Sequence, residues 1–298
     1  MTHRFSIAGW PGAVVALGLL LVACKQEDVE RPRGGCKPAD NVLLCGQPLL
    51  IAHRGGGRLR PESTLPAFEH AATLGAHVLE LDVHTTADGH VVCIHDATVD
   101  RTTDGAGAVQ GLSLAELQAL DAGYRFTTDG GATHPFRGQG VIVPSLEAVL
   151  QQHPEAWFSI EIKQREPNMV DALLGVLDAN GANQRVVVVS FYDDVVAEVR
   201  AKRPTVLTGM GLAEMLELST LDDELEKSYQ PATRIVQPPF ASITEEMIAR
   251  AGRLDLRLHA WTVNDRPEME RQLALGTHGI MTDDPALLAE VLAEHGGE

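Results

Sequence analysis

Basic clusters are missing from this 298-residue chain: 24 Lys and Arg are outnumbered by 41 Asp and Glu, for a formal net charge of -17, and the cations gather nowhere. Neutralising a phosphate backbone needs a basic face, so the composition argues against a nucleic-acid partner. Aromatics are scarce, at 4%, which leaves few platforms for stacking bases. There are only four Cys, and no two His stand at HxxxH spacing. With 44% apolar residues and interspersed charges, the chain is globular and long enough to bury a large core. What remains is an enzyme or a small-molecule binder.

The first residues read as an export signal. Arg4 is the only charge before an unbroken apolar or small run, Ala13–Ala23, too short to span a bilayer as a mature helix but suited to a signal-peptide core. It ends in Leu21-Val22-Ala23-Cys24, which resembles a bacterial lipoprotein cleavage box with Cys24 as the lipidated N-terminus. Lys25 follows where an Asp would resemble an inner-membrane retention signal. The expectation is an exported, membrane-anchored lipoprotein, in the outer membrane or periplasm of a Gram-negative cell, touching the membrane only through its lipid. Residues 1–23 are then the signal peptide, and 24–46, charged and rich in Gly and Pro, a tether. In an oxidising compartment Cys36 and Cys45 are expected to form a disulfide. Cys93, inside an apolar run, should be an inert buried thiol.

From residue 47 to 298 short β-rich runs alternate with amphipathic stretches. The runs are 49–52, 78–83, 91–95, 157–163, 186–190, 206–210, 234–237, 256–263 and 278–282; helical stretches include 65–75, 145–153, 193–203 and 245–253. This alternation indicates an α/β fold, either a closed parallel barrel or an open doubly wound sheet. His53-Arg54-Gly55-Gly56-Gly57 does not fit the glycine fingerprint of a dinucleotide fold, which favours a (β/α)8 TIM barrel. One run beyond eight implies an extra pairing, at 91–95 or 206–210. The segment after the third run reads as a short insertion whose Gly-rich part, 127–140, suits either a mobile lid or a plain surface loop.

The chemistry-bearing residues stand at strand ends. His53 and Arg54 follow the first run, Glu80 and Asp82 close the second, His95 and Asp96 the third, Glu161 and Lys163 the fourth. Residues two apart on a strand share a face, so each pair can aim into one barrel mouth. Clustered carboxylates call for a cation, because two unit charges 4 Å apart repel by about 4 kcal/mol even at an effective dielectric of 20. All-oxygen ligation without Cys points to a hard ion, Mg²⁺ or Ca²⁺. Two imidazoles suit an acid and a base, and Arg54 and Lys163 supply fixed positive charge for an anion. Together they describe phosphate-ester chemistry. Any one of these residues alone reads as a cap or a salt bridge; their joint placement does not.

The string His53-Arg54-Gly55, Pro61-Glu62-Ser63-Thr64, Glu80-Leu81-Asp82-Val83, His95-Asp96, Arg101-Thr102-Thr103, Glu161-Ile162-Lys163, His259-Ala260-Trp261-Thr262-Val263-Asn264 and Gly279-Ile280-Met281-Thr282-Asp283-Asp284-Pro285 resembles the signature of the glycerophosphodiester phosphodiesterases over roughly residues 49–290. That resemblance implies a (β/α)8 barrel. It implies one Ca²⁺ or Mg²⁺ on Glu80, Asp82 and Glu161, His53 and His95 as acid and base, and Arg54 and Lys163 on the substrate phosphate. Glu62 matches a family glutamate near metal and glycerol, as ligand or orienter. Trp261, at an expected strand end, is read as packing against the glycerol, with filling of the barrel top as the alternative. Ser63 departs from the family's commoner Asn or His.

The implied reaction is metal-assisted hydrolysis of a small-molecule glycerophosphodiester to sn-glycerol 3-phosphate and an alcohol, through a cyclic phosphate. Two alternatives share the barrel: a lysophospholipase D-like enzyme, which would need an apolar groove that few aromatics could line, and a noncatalytic glycerophosphodiester-binding lipoprotein, which would not need both imidazoles.

Overall fold

The computed structural model describes residues 41–45 and 48–296. The expected signal peptide, residues 1–23, and Cys24 and Cys36 lie outside the described residues. Cys45 is disulfide-bonded, and its partner lies outside them as well.

Strands and helices alternate along the chain. The first half holds β1 (Leu49–Ala52), α1 (Leu65–Thr73), β2 (Val78–Thr85), β3 (Val91–Cys93), α2 (Leu114–Gln118), α3 (Leu146–Gln152), β4 (Trp157–Ile162), α4 (Val170–Ala179) and β5 (Val186–Val189). The second holds α5 (Asp193–Lys202), β6 (Leu207–Thr208), α6 (Leu212–Thr220), α7 (Asp223–Glu226), β7 (Ile235–Val236), α8 (Glu245–Arg253), β8 (Arg257–Ala260), α9 (Arg266–Leu275), β9 (Gly279–Thr282) and α10 (Pro285–His295). Eight strands pair in the order β6-β5-β4-β2-β1-β9-β8-β7, every pairing parallel. A parallel bridge from Gly209 to Ile235 brings the two ends together, so the sheet is a nearly closed (β/α)8 barrel. The extra run is β3, which pairs antiparallel with β2 outside that path.

Strand parity sorts each side chain to one of two cores. On β1 Leu49 and Ile51 point inward, into a cluster with Val78, Val187, Ile235 and Met281. Leu79, Leu81, Val83, Phe158, Ile160 and Ile162 point outward against the helices. On the other side Leu258 and Ile280 join the outer layer. The inner packing is tight enough to demand glycine at 279, where a Cβ would lie 2.9 Å from His259 Cδ2 and 3.1 Å from Ile51 Cδ1.

Two sequence-based boundaries change. The domain reaches back past residue 47: a 3-10 turn, Val42–Leu44, inserts fully buried Leu43 into the inner cluster, so the last residues assigned to the tether belong to the barrel. The segment after β3 packs on its own core, with Val92, Ile94, Val99, Val109, Leu117, Ala122, Val141 and Val143 all buried. No residue from 96–144 lines the cavity at the strand ends where His53 and Lys163 stand. These buried residues lie on either side of the Gly-rich part, 127–140, which is itself largely exposed and packs Phe136 against that core.

Candidate active site

Inward parity continues past the strand ends and carries the site residues with it. From β1 it leads 49, 51, 53; from β2, 78, 80, 82; from β4, 157, 159, 161, 163; from β9, 279, 281, 283. His53, Glu80, Asp82, Glu161, Lys163 and Asp283 therefore converge on one end of the barrel. In the sheet register Glu80 is opposite Ser159 and Asp82 opposite Glu161. They meet in a cavity of about 290 Å³ lined by His53, Arg54, Glu80, His95, Glu161 and Lys163 on its polar side.

Glu80, Asp82 and Glu161 offer oxygens within 4.8 Å of one another. Asp82 is 1% exposed and Glu80 3%, burial that ionised carboxylates tolerate only with compensation. Burial, then Asp82, pushes the Glu80 carboxyl well above the usual range, and burial raises Glu161 as well. Both Asp82 oxygens and Glu161 Oε1 are buried without a hydrogen-bond partner, although Lys163 Nζ stands 3.1 Å from Asp82 and 2.8 Å from Glu161. Three buried carboxylates with spare oxygens and no sulfur or imidazole donor fit a hard divalent cation.

Each histidine is tied to a carboxylate that the sequence reading left without a role. His53 Nδ1 is 2.6 Å from Asp283 Oδ1, and Asp283 is itself held by Asn264 Nδ2 at 2.6 Å. His95 Nδ1 is 2.6 Å from Asp96 Oδ1. A carboxylate partner makes Nδ1 the donor and leaves Nε2 as the working nitrogen. The environments differ. Burial acts to lower His53 but is outweighed by Glu80 and Asp283, so its pKa is raised; burial prevails at His95 over Asp96 and lowers it. Asp96 is held down at about 2, first by Arg101.

Arg54 occupies a left-handed conformation, φ 52° and ψ 31°, sparsely populated for a residue with a side chain and characteristic of functional sites. That turn sends its backbone N–H to Glu80 Oε2 at 2.7 Å and its guanidinium toward Asp82, with Nε 3.3 Å from Oδ2. Ser63 also has positive φ, 56°, a region that Asn and His enter more readily. Glu62 stands apart from the carboxylate trio: its oxygens accept from Arg54 at 3.0 Å and from Arg101 at 2.7 Å, the geometry of an orienter.

The far wall is apolar, formed by Val189, Phe191, Met210, Met215, Trp261 and Met281. Trp261 donates its indole N–H to the Gln237 carbonyl at 2.6 Å and meets Phe191 edge-on. Counting aromatics missed this wall because methionines build much of it. Cys93 is buried, and burial pushes its thiol far up, in line with an inert core residue.

The family model for glycerophosphoryl diester phosphodiesterases matches residues 53–287. A glycerophosphodiester phosphodiesterase of Caldanaerobacter subterraneus subsp. tengcongensis is 32% identical over 83% of this chain and 99% of its own length. One of Bacillus subtilis is 29% identical over 84% and 88%. Among solved structures, a glycerophosphodiester phosphodiesterase from Agrobacterium tumefaciens superposes with TM-score 0.68 at 26% identity, covering 82% of this chain and all of that one (100%). A phosphodiesterase from Oleispira antarctica, solved with its product sn-glycerol-3-phosphate, gives TM-score 0.68 at 23% identity over 83% and 97%.

Proposed function

The chain belongs to the glycerophosphoryl diester phosphodiesterase family and is an enzyme of that class, and from that membership we propose that it hydrolyses glycerophosphodiesters to sn-glycerol 3-phosphate by acid–base catalysis between His95 and His53. The observation that carries this reading is the pair of carboxylate-tethered imidazoles lining one cavity beside three buried carboxylates. In it the phosphate lies against Arg54 and Lys163, whose charges are fixed by Glu62, Asp82 and Glu161, and the glycerol lies against Trp261.

Glu80, Asp82 and Glu161 would hold one divalent cation, Ca²⁺ or Mg²⁺, and when bound it supplies the positive charge that offsets the phosphoryl oxygens. His95, lowered and neutral at pH 7, takes the proton from the glycerol hydroxyl next to the phosphate as that oxygen attacks phosphorus. His53, raised, protonates the leaving alcohol. Asp96 and Asp283 keep both rings in the required tautomer. The cyclic glycerol phosphate is then opened by water with the two histidines exchanging roles. Part of the His53 shift comes from Glu80, which a cation would neutralise; Asp283 is the other group that raises it.

The N-terminal sequence supports a lipoprotein: signal peptide 1–23, Cys24 carrying the lipid, export to the outer membrane or periplasm, and a disulfide between Cys36 and Cys45. The Met210, Met215 and Phe191 wall gives a second substrate reading its support, a lysophospholipid whose acyl chain follows that wall. The test is to incubate the protein with glycerophosphocholine and with lysophosphatidylcholine, with and without EDTA, and measure glycerol 3-phosphate, lysophosphatidate and choline. Glycerol 3-phosphate that disappears with EDTA supports the main reading; turnover surviving full chelation contradicts it.

A further inference from the structure

Arg101 lies in the loop after β3, outside the cavity lined by His53 and His95, yet it holds two carboxylates that serve opposite ends of the site. Its two terminal nitrogens donate to Glu62 Oε2 and Oε1, each at 2.7 Å. Its Nε donates to Asp96 Oδ2 at 2.7 Å. Glu62 Oε1 also receives Arg54 at 3.0 Å, and the other Asp96 oxygen receives His95 Nδ1 at 2.6 Å. Charges alternate along Arg54, Glu62, Arg101 and Asp96, and the row ends on the neutral ring of His95.

Resting on the phosphodiesterase reading above, we infer that Arg101 is a positioning residue that couples the phosphate-binding Arg54 to the base His95. The argument is geometric. Glu62 belongs to the loop before α1 and Asp96 to the loop after β3, and the guanidinium of Arg101 is the group that donates to both. Only a planar fork with donors on three nitrogens can hold one carboxylate by two bonds and a second by Nε; an ammonium cannot. Without the fork Asp96 loses the charge that fixes its rotamer, and His95 loses a fixed acceptor for Nδ1–H. Glu62 would then have Arg54 as its remaining cation and draw it from the phosphate. Arg101 does not hold up the fold: its side chain is 46% exposed, and its hydrogen bonds among the described residues all go to these two acids. It borders a small cleft of about 170 Å³ with Glu62, Arg125 and Thr127, open to a small cation once the side chain is cut back.

The test uses the whole protein with glycerophosphocholine and a divalent ion. Arg101→Ala is expected to lower kcat/KM by about 10–100-fold, the range seen when outer partners of site residues are removed. The loss should divide into a lower kcat, from the Asp96 arm, and a higher KM, from the Glu62 arm. Asp96→Asn should move mainly kcat and Glu62→Gln mainly KM. Each combined with Arg101→Ala should lose less than the product of the single losses. Millimolar guanidinium should restore part of the activity of Arg101→Ala, whereas it would restore nothing to a merely destabilised protein; Arg101→Lys should recover one arm at most. Kinetics within twofold of wild type, or a loss with multiplicative double variants and no rescue, would overturn the inference. Should the wild type turn over no substrate, the phosphodiesterase reading fails. Arg101 is then judged by the downfield imidazole N–H proton of His95 in NMR spectra, identified by its absence in His95→Gln. Loss of that signal in Arg101→Ala supports the coupling, and an unchanged signal refutes it.

Discussion

Asp283 Oδ1 lies 2.6 Å from Nδ1 of His53, across 230 residues of chain. The last strand, β9, pairs with β1 and thus returns an acid to the histidine that follows the first strand. Asp283→Asn keeps the shape but can offer its amide N–H to Nδ1, which would move the proton to Nε2. The expected result is a fall in kcat of about 10²-fold or more, with an unchanged melting curve and bound-substrate affinity; an unchanged kcat would show that Asp283 does not set the tautomer.

The two histidines predict the pH profile. His95 sits below the ordinary 6.5 and His53 above it. The base must be neutral and the acid protonated, so kcat/KM for glycerophosphocholine should form a bell with its acid limb below 6.5 and its alkaline limb above. Replacing Asp96 with Asn removes the carboxylate that counters burial at His95, and should move the acid limb to lower pH. A single-limbed profile would contradict the paired assignment.

Charge at the carboxylate trio gives a readout independent of turnover. A cation that binds the folded form alone stabilises it by about 2.7 kcal/mol at a hundredfold excess over Kd. Thermal unfolding in EDTA and then in excess Ca²⁺ or Mg²⁺ should show a rise in Tm for the wild type and none for Asp82→Asn/Glu161→Gln.

Stability toward acid should depend on histidines at the base of the barrel. Burial holds His259 at about 3 and His278 at about 4, against 6.5 in an unfolded chain. Below 6.5 the unfolded state binds protons that the folded state refuses, so their contribution is whole above that pH and is lost as the pH falls toward 4 and then 3. His278 Nδ1 accepts from the Leu258 N–H at 3.2 Å, a role an Asn oxygen can take over. In denaturant titrations His278→Asn should therefore lose stability less steeply than wild type between pH 6 and 4; equal slopes would remove His278 from the account.

The barrel and most of its mouth were legible because a period of two is written into the strands. Once 49–52, 78–83 and 157–163 read as strands, the inward placement of His53, Glu80, Asp82, Glu161 and Lys163 followed. Asp96 and Asp283 could be seen in the sequence but not paired: Asp283 continues the inward parity of β9, yet its partner is known only once β9 lies beside β1. Arg101 stands in a loop without periodicity, and only the loop's own fold brings it to Glu62. The same irregularity hid the buried cluster around Val99 and Val141, which packs on either side of the Gly-rich part.

The central claim is that His53 and His95 break a glycerophosphodiester bond in this cavity. Its most direct test is ³¹P NMR of glycerophosphocholine incubated with a divalent ion and either the wild type or His53→Ala/His95→Ala. The account predicts conversion of the diester resonance to that of glycerol 3-phosphate by the wild type, with a cyclic phosphate signal in transit, and none by the double variant. A diester signal that persists with the wild type, or that the double variant consumes at the same rate, would contradict it.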